Sequence, residues 1–151
     1  MNRNIYILAA TSFVIVALAT PFQLFSVPLA PIAAIVLGAG AGWWMISNST
    51  EQGGLNGLKA GAVVGAGALL GSIVGLAVLA LFVGNIPEVQ TYVQNSEPNP
   101  EARIPTEWIA PLGALAGVVV GFVVGLFDLV LSAIAGFVAG ALNHSTHPTH
   151  A

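Results

Sequence analysis

The sequence predicts an all-α membrane protein with four transmembrane helices, arranged as two antiparallel hairpins with glycine-zipper packing. Hydrophobic residues make up 56% of the 151 residues, while charged residues make up 6%, against about 25% in soluble globular chains. A soluble domain could not cover its surface with so few charges. Four long apolar segments account for this composition, so we expect residues 1–151 to form a single integral membrane domain.

The first two apolar segments are predicted to form helices over about residues 5–25 and 28–47. Pro28 and Pro31 fall at the start of the second helix, where a missing backbone N–H costs nothing. Only a short turn around residues 22–27 separates the two segments. We therefore expect them to form an antiparallel hairpin.

A signal peptide is the second interpretation of the N-terminal segment. Arg3, a short apolar core and the Ala-x-Ala pattern at residues 17–19 fit a signal sequence that would be removed by cleavage near residue 19. We favour a span that is retained in the mature protein.

The other two helices are predicted over residues 57–84 and 109–142. Between them, residues 85–108 are expected to form an extramembrane loop, since they contain four prolines and four glutamates. A polar tail follows at residues 143–151. Both helices exceed the hydrocarbon thickness of about 30 Å, so we expect them to tilt, protrude or break, with Gly136 and Gly140 as places for a break.

The basic residues predict the orientation of the helices. If both termini are cytoplasmic, Arg3 and Lys59 lie inside and Arg103 lies outside, which agrees with the positive-inside rule. Aromatic residues at helix ends are expected to anchor the protein at the interfaces: Tyr6, Trp43 and Trp44 inside, and Trp108 outside. We therefore expect both termini to be cytoplasmic. The protein is expected to be a multi-pass protein of the plasma membrane.

Small residues recur every four positions in three of the predicted helices, the second of them through Ala30, Ala34, Gly38 and Gly42. Such spacing lets helix backbones approach closely in lipid, where little hydrophobic force drives helices together. In the third helix, the two glycine series point in nearly opposite directions, so this helix should be central, with close neighbours on two sides. The glycines concerned are Gly61 and Gly65, then Gly67, Gly71 and Gly75, and in the fourth helix Gly113, Gly117, Gly121 and Gly125.

Asp128 is the one acidic residue inside an apolar segment, and it should face protein or water because exposure to lipid is unfavourable. It lies close to the glycine stripe on the helical wheel, with Ser132 one turn later. We expect Asp128 near the cytoplasmic boundary, in an ion pair with Lys59 that sets the register of the last two helices. The alternative is that Asp128 takes up and releases a proton or cation.

The remaining polar residues suggest little chemistry. His144, His147 and His150 could present imidazoles to a metal, but Pro148 interrupts any regular helix through them, so a solvated tail is favoured. The chain has no Cys, no catalytic motif and no basic cluster. We therefore expect no cofactor, no resident metal, no enzymatic activity and no nucleic-acid binding.

The predicted function is that of a non-catalytic structural or accessory subunit of a membrane complex, or of a homo-oligomer assembled through small-residue packing. Its partners would be the lipid bilayer and other membrane subunits or copies of itself. The acidic loop at residues 85–108 is the expected docking surface for a soluble partner. The alternative is a small proton or cation transporter or channel that uses Asp128.

Overall fold

The computed structural model describes residues 3–25, 28–46 and 53–146, and 93% of it is helical. No β-strand occurs within these ranges, so the predicted all-α class is confirmed. The four long helices are α1 (Arg3–Ala19), α2 (Leu29–Ile46), α3 (Gly53–Gly84) and α5 (Thr106–Thr146), with a short α4 (Pro87–Ser96) before the last. Two 3-10 helices, Thr20–Phe25 and Pro100–Ala102, complete the chain order.

Three stretches are long and apolar enough to cross a membrane: Asn4–Phe22, Gly53–Gly84 and Thr106–Asn143. They correspond to α1, α3 and α5, and they make the chain compatible with an integral membrane protein. The apolar part of α2, Leu29–Met45, is shorter.

Prolines fit the helix boundaries as the sequence suggests. Pro31 lies in the first turn of α2, where backbone N–H groups have no partner within the helix. Pro21 follows the end of α1, and the chain continues as a 3-10 helix. At this junction the buried Thr20 hydroxyl donates to the carbonyl of Val16 at 2.6 Å, so the hydroxyl is satisfied by the last turn of α1.

α3 packs against α1, α2 and α5, and α2 likewise packs against α1, α3 and α5, so these two helices together form the middle of the bundle. Along α3, Gly67, Gly71 and Gly75 lie in turn against Ala9, Phe13 and Ala17 of α1, so α1 and α3 run in the same direction.

α5 runs antiparallel to α3. Its Gly136, Ser132 and Leu129 lie against successive glycines of α3, which are Gly57, Gly61 and Gly65. α2 runs parallel to α5, while α1 makes no direct packing contact with α5 within the described ranges. In cross-section, α1 and α5 therefore lie on opposite sides of the α2–α3 pair.

Two details differ from the sequence-based expectation. Residues 85–108 are not a plain loop, because Pro87 starts the ten-residue helix α4, a position where proline is well tolerated. α5 is unbroken for 41 residues, a length of about 60 Å, so of the three alternatives of tilting, protruding or breaking, the break at Gly136 or Gly140 does not occur. Gly136 instead packs against the backbones of α2 and α3 within the continuous helix.

Candidate intramembrane site

The core of the bundle contains a small set of buried polar side chains among alanines, glycines and valines. On α3 the core-facing stripe runs through Ala60, Val64 and Ala68, and its next member is Ser72. Every long helix except α2 contributes to the set, whose members are Ser12, Thr20, Ser72, Asp128, Ser132 and Asn143. These groups are the candidates for chemistry inside the bundle.

Asp128 is only 1% exposed, and its carboxyl group is bonded to α3. The Ser72 hydroxyl donates a hydrogen bond of 2.9 Å to Oδ2 of Asp128. Ser72 is fully buried, so this bond is shielded from solvent. The pair connects two antiparallel helices across a separation of 56 residues in sequence.

Glycines bring the two partners together. A methyl group on Gly125 would lie 2.7 Å from the Cα of Leu69, so the backbones of α5 and α3 touch one turn before Asp128 and one turn before Ser72. Side chains on a helix lean toward its N-terminus. Because the two helices are antiparallel, Asp128 and Ser72 both lean toward this contact, where their polar atoms meet.

Ser132 occupies the point where α2, α3 and α5 meet. Its hydroxyl donates to the carbonyl of Gly61 at 2.9 Å. Any Cβ on Gly38 of α2 or on Gly61 of α3 would overlap Ser132 itself. The serine is therefore enclosed by two glycine-lined helices, and its hydroxyl is satisfied by the backbone of a neighbouring helix.

The structure does not bring Lys59 to Asp128. Lys59 is exposed on α3, about 20 Å along the axis from Ser72 at 1.5 Å per residue. It also lies two positions before Gly61, so it points away from the side of α3 that contacts α5. The predicted ion pair is therefore not formed, and Asp128 lies beside the middle of α3 rather than near the end that carries Lys59.

The glycines predicted to mediate packing make backbone contacts. On the face of α3 toward α1, methyl groups on Gly71 and Gly75 would each lie 2.6 Å from a carbonyl oxygen of α1, and one on Gly67 would overlap Ala9. On α5, Gly117 and Gly121 are equally close to the backbone of α3.

Two glycines have more room. A methyl group on Gly113 would meet Ala80 at 3.5 Å, an ordinary van der Waals distance, and one on Gly40 would meet nothing within 4 Å. Gly40 therefore differs from the packing glycines, because its own chain does not require it to be small.

The four aromatic residues expected at the interfaces are all exposed, and they lie near helix ends. Tyr6 is near the start of α1, Trp43 and Trp44 near the end of α2, and Trp108 near the start of α5. The carbonyl of Trp43 accepts a hydrogen bond of 3.0 Å from the Asn143 side chain, which ties the end of α2 to α5. Their role as membrane anchors stays a prediction.

The histidine tail gives no site that the structure can describe. His147 and His150 lie outside the described residues, as does the side chain of His144. Among the described residues, no group of three or more His, Cys, Asp or Glu side chains could hold a metal ion.

Two buried serines were missed by the sequence reasoning. Ser72 carries the bond to Asp128, and Ser12 on α1 is fully buried with no hydrogen-bond partner for its Oγ. The signal for both is the one that drew attention to Asp128, a polar residue inside an apolar segment. For serine this signal is weak, because a hydroxyl can bond to its own helix, as Thr20 does.

Comparison of the chain with protein-family models, with curated proteins and with solved structures finds no match.

Proposed function

We propose that this protein is a non-catalytic, four-span structural subunit of the membrane, which assembles with other membrane subunits or with copies of itself. The observation that carries the proposal is the difference between the interior of the helix bundle and its outer surface. Small residues bring the helices into backbone contact inside, while large apolar side chains cover the outside. Such a molecule is adapted to lipid and to helix–helix association, which in a membrane depends on close packing.

The fourth span in this proposal is α2. Its apolar stretch, Leu29–Met45, is short for a span but reaches the lower end of the range of about 17–25 residues. The glycine contacts that set α2 parallel to α5 and α1 parallel to α3 support two antiparallel hairpins. In the proposed glycine-zipper packing, α3 belongs to two interfaces, because one of its glycine series faces α1 and the other faces α5.

An outward-facing groove between α2 and α5 supports the assembly part of the proposal. Its volume is about 490 Å³, and it is lined almost entirely by apolar groups. The groove contains three alanines, Ala39, Ala135 and Ala139, whose small side chains leave a depression between larger neighbours such as Ile35 and Leu131. A surface of this shape can accept a further helix at short distance.

The segment between α3 and α5 supports a docking role for a soluble partner. The described residues of this segment carry Glu88, Glu97 and Glu101, and no part of α4 is buried. Its shape is held by local bonds, among them Gln90 to the carbonyl of Gly84 at 3.0 Å and Gln94 to Thr106. An exposed, acidic and locally ordered segment is suited to contact a protein outside the membrane.

The orientation is part of the same proposal and can be tested directly, because the chain has no Cys. Asn95→Cys in α4 should react with a membrane-impermeant maleimide on intact cells. Lys59→Cys, which is also exposed, should react only after permeabilisation. The reverse pattern would contradict cytoplasmic termini in the plasma membrane.

Assembly can be tested by purifying the full chain in mild detergent, measuring the mass of the particle and identifying copurified proteins. A cysteine at Ala139, in the α2–α5 groove, should cross-link to a neighbouring chain within the membrane. Val119→Cys, exposed on α5 outside the groove, is the matched control and should not.

A particle that is a single chain in detergent, together with equal cross-linking at both positions, would contradict the proposed assembly. Cross-linking at Ala139 alone would support it, and the mass of the product would distinguish a second copy from another subunit.

A further inference from the structure

Asp128 has a buried carboxyl group and a hydrogen-bond donor, Ser72, but no cation lies beside it among the side chains that the structure describes. An ionised carboxylate inside a low-dielectric bundle is strongly unfavourable unless an opposite charge compensates it. A cation or a proton must therefore neutralise the carboxylate of Asp128. Its identity is independent of the assembly role proposed above.

The helices packed around Asp128 offer no side chain that could supply the compensating positive charge. In the sequence, α2 contains no titratable residue, and α3 contains only Lys59, about 20 Å away along its axis. α1 does not contact α5, and its titratable residues, Arg3 and Tyr6, lie at its far end.

On α5 itself, the titratable neighbours lie many turns away. Glu107 is near the first turn and His144 near the last, each more than about 20 Å along the axis from Asp128. The compensating charge must therefore come from outside the described side chains.

A metal cation fits this position poorly. Metal ions such as Ca²⁺ and Mg²⁺ take six or more oxygen ligands, whereas the bonded oxygens here come from one carboxyl and one hydroxyl. α3 and α5 are unbroken at this level, so their backbone carbonyls are engaged within the helices. A proton needs only one oxygen.

We propose that Asp128 and Ser72 form an intramembrane proton-binding site. A hydronium ion in the water gives one proton to Oδ1 of Asp128: an O–H bond of hydronium breaks, an O–H bond to Oδ1 forms, and the products are one water molecule and a neutral carboxylic acid. The Ser72 hydroxyl donates to Oδ2, the oxygen that keeps carbonyl character. No other covalent bond of the protein forms or breaks, so the bundle gains one proton and nothing else.

The test is infrared difference spectroscopy on the full chain in lipid nanodiscs at neutral pH. The wild-type spectrum should contain the carbonyl band of one protonated carboxylic acid, which shifts in D₂O. Asp128→Asn should lose this band, because the amide keeps the shape of the side chain but cannot bind the proton. A carboxylate band that disappears in Asp128→Asn, with no acid band in the wild type, would overturn the proposal.

A second variant keeps the test informative if Asp128→Asn does not fold. Ser72→Ala should move the acid band to higher frequency, because it removes the hydrogen bond to the carbonyl oxygen. Ser12→Ala is the control and should leave the band unchanged, because Ser12 is fully buried and its Oγ has no hydrogen-bond partner. An unshifted band in Ser72→Ala would overturn the assignment of the pair.

A sodium titration separates a proton from a metal cation. The acid band should stay constant when Na⁺ is replaced by a large organic cation at fixed pH. Loss of the band on addition of Na⁺ would overturn the proton assignment in favour of a metal site. Neither result bears on the cross-linking at Ala139, so the two proposals fail independently.

Discussion

The two glycine-lined faces of α3 differ in what accompanies the close approach of the helices. Toward α1, backbone touches backbone at Gly67, Gly71 and Gly75, and the one buried serine on α1, Ser12, has no partner. Toward α5, the same kind of contact is accompanied by two hydrogen bonds between the helices. The first face brings its helices close together, whereas the second also selects one register between them.

The difference has a physical basis. Backbone contact at small residues depends on shape alone, and a shift by one turn can replace one small residue with another. A hydrogen bond depends on two particular atoms and is lost on the same shift. We therefore expect the α3–α5 face to be the more specific of the two, and the following variants test this.

The largest effect is expected from Gly121→Ala on the α3–α5 face. The added methyl group would lie 2.6 Å from the Cα of Ile73 and 2.7 Å from the carbonyl oxygen of Ser72, atoms that cannot move without displacing α3. We expect a loss of about 3 kcal/mol in the free energy of unfolding, as for severe overpacking. Steric-trap or denaturant unfolding in detergent measures it.

Gly71→Ala is the counterpart of this variant on the α1 face, since its methyl group would lie 2.6 Å from the carbonyl oxygen of Phe13. It should also destabilise the protein but leave the Asp128 infrared band in place, whereas Gly121→Ala should shift it. Equal spectral changes in the two variants would remove the distinction between the faces.

The next effect compares two fully buried serines with one substitution. Ser72→Ala removes the donor to Asp128 and should lower the free energy of unfolding by about 1–2 kcal/mol. Ser12→Ala removes a hydroxyl without a partner and should leave stability unchanged or slightly raised. If Ser12→Ala costs as much as Ser72→Ala, the α1 face contributes a polar interaction equal to that of the α5 face.

Ser132→Ala should have a smaller effect. Its hydroxyl bonds to the carbonyl of Gly61, which also belongs to the backbone of α3. Hydrogen bonds between membrane helices contribute about 0.6 kcal/mol on average, and we expect a loss of that size in the same unfolding assay. A loss larger than that of Ser72→Ala would make the junction at Ser132, rather than Asp128, the main polar tie of α5.

The smallest effect is expected at Gly40, which faces open space on α2. Gly40→Ala should raise the stability of the isolated chain by about 0.5 kcal/mol, because alanine favours a helix more than glycine does. This variant is the control for Gly121→Ala, since the substitution is identical and only the surroundings differ. A strong loss at Gly40 in the membrane, but not in monomeric detergent solution, would indicate that another chain packs there.

Parts of this fold were accessible from the sequence because they depend on local properties. Apolar length and low charge predict membrane helices, and prolines predict where α2 begins. Helical geometry alone indicates that Gly65 and Gly67 point to different sides of α3. α4 was missed because its ten residues are mostly polar and begin with a proline, which made the segment resemble a loop between two long apolar helices.

The partner of Asp128 depended on the register between two helices far apart in sequence. The sequence indicated that a carboxyl lies within the last apolar segment and should face the protein. However, the basic residue that interrupts another apolar segment, Lys59, was the wrong partner. The register is set by several backbone contacts together, among them Gly65 with Leu129 and Gly125 with Leu69. Only the tertiary structure combines these contacts, and they place Asp128 opposite a serine in the middle of α3 rather than a lysine near its end.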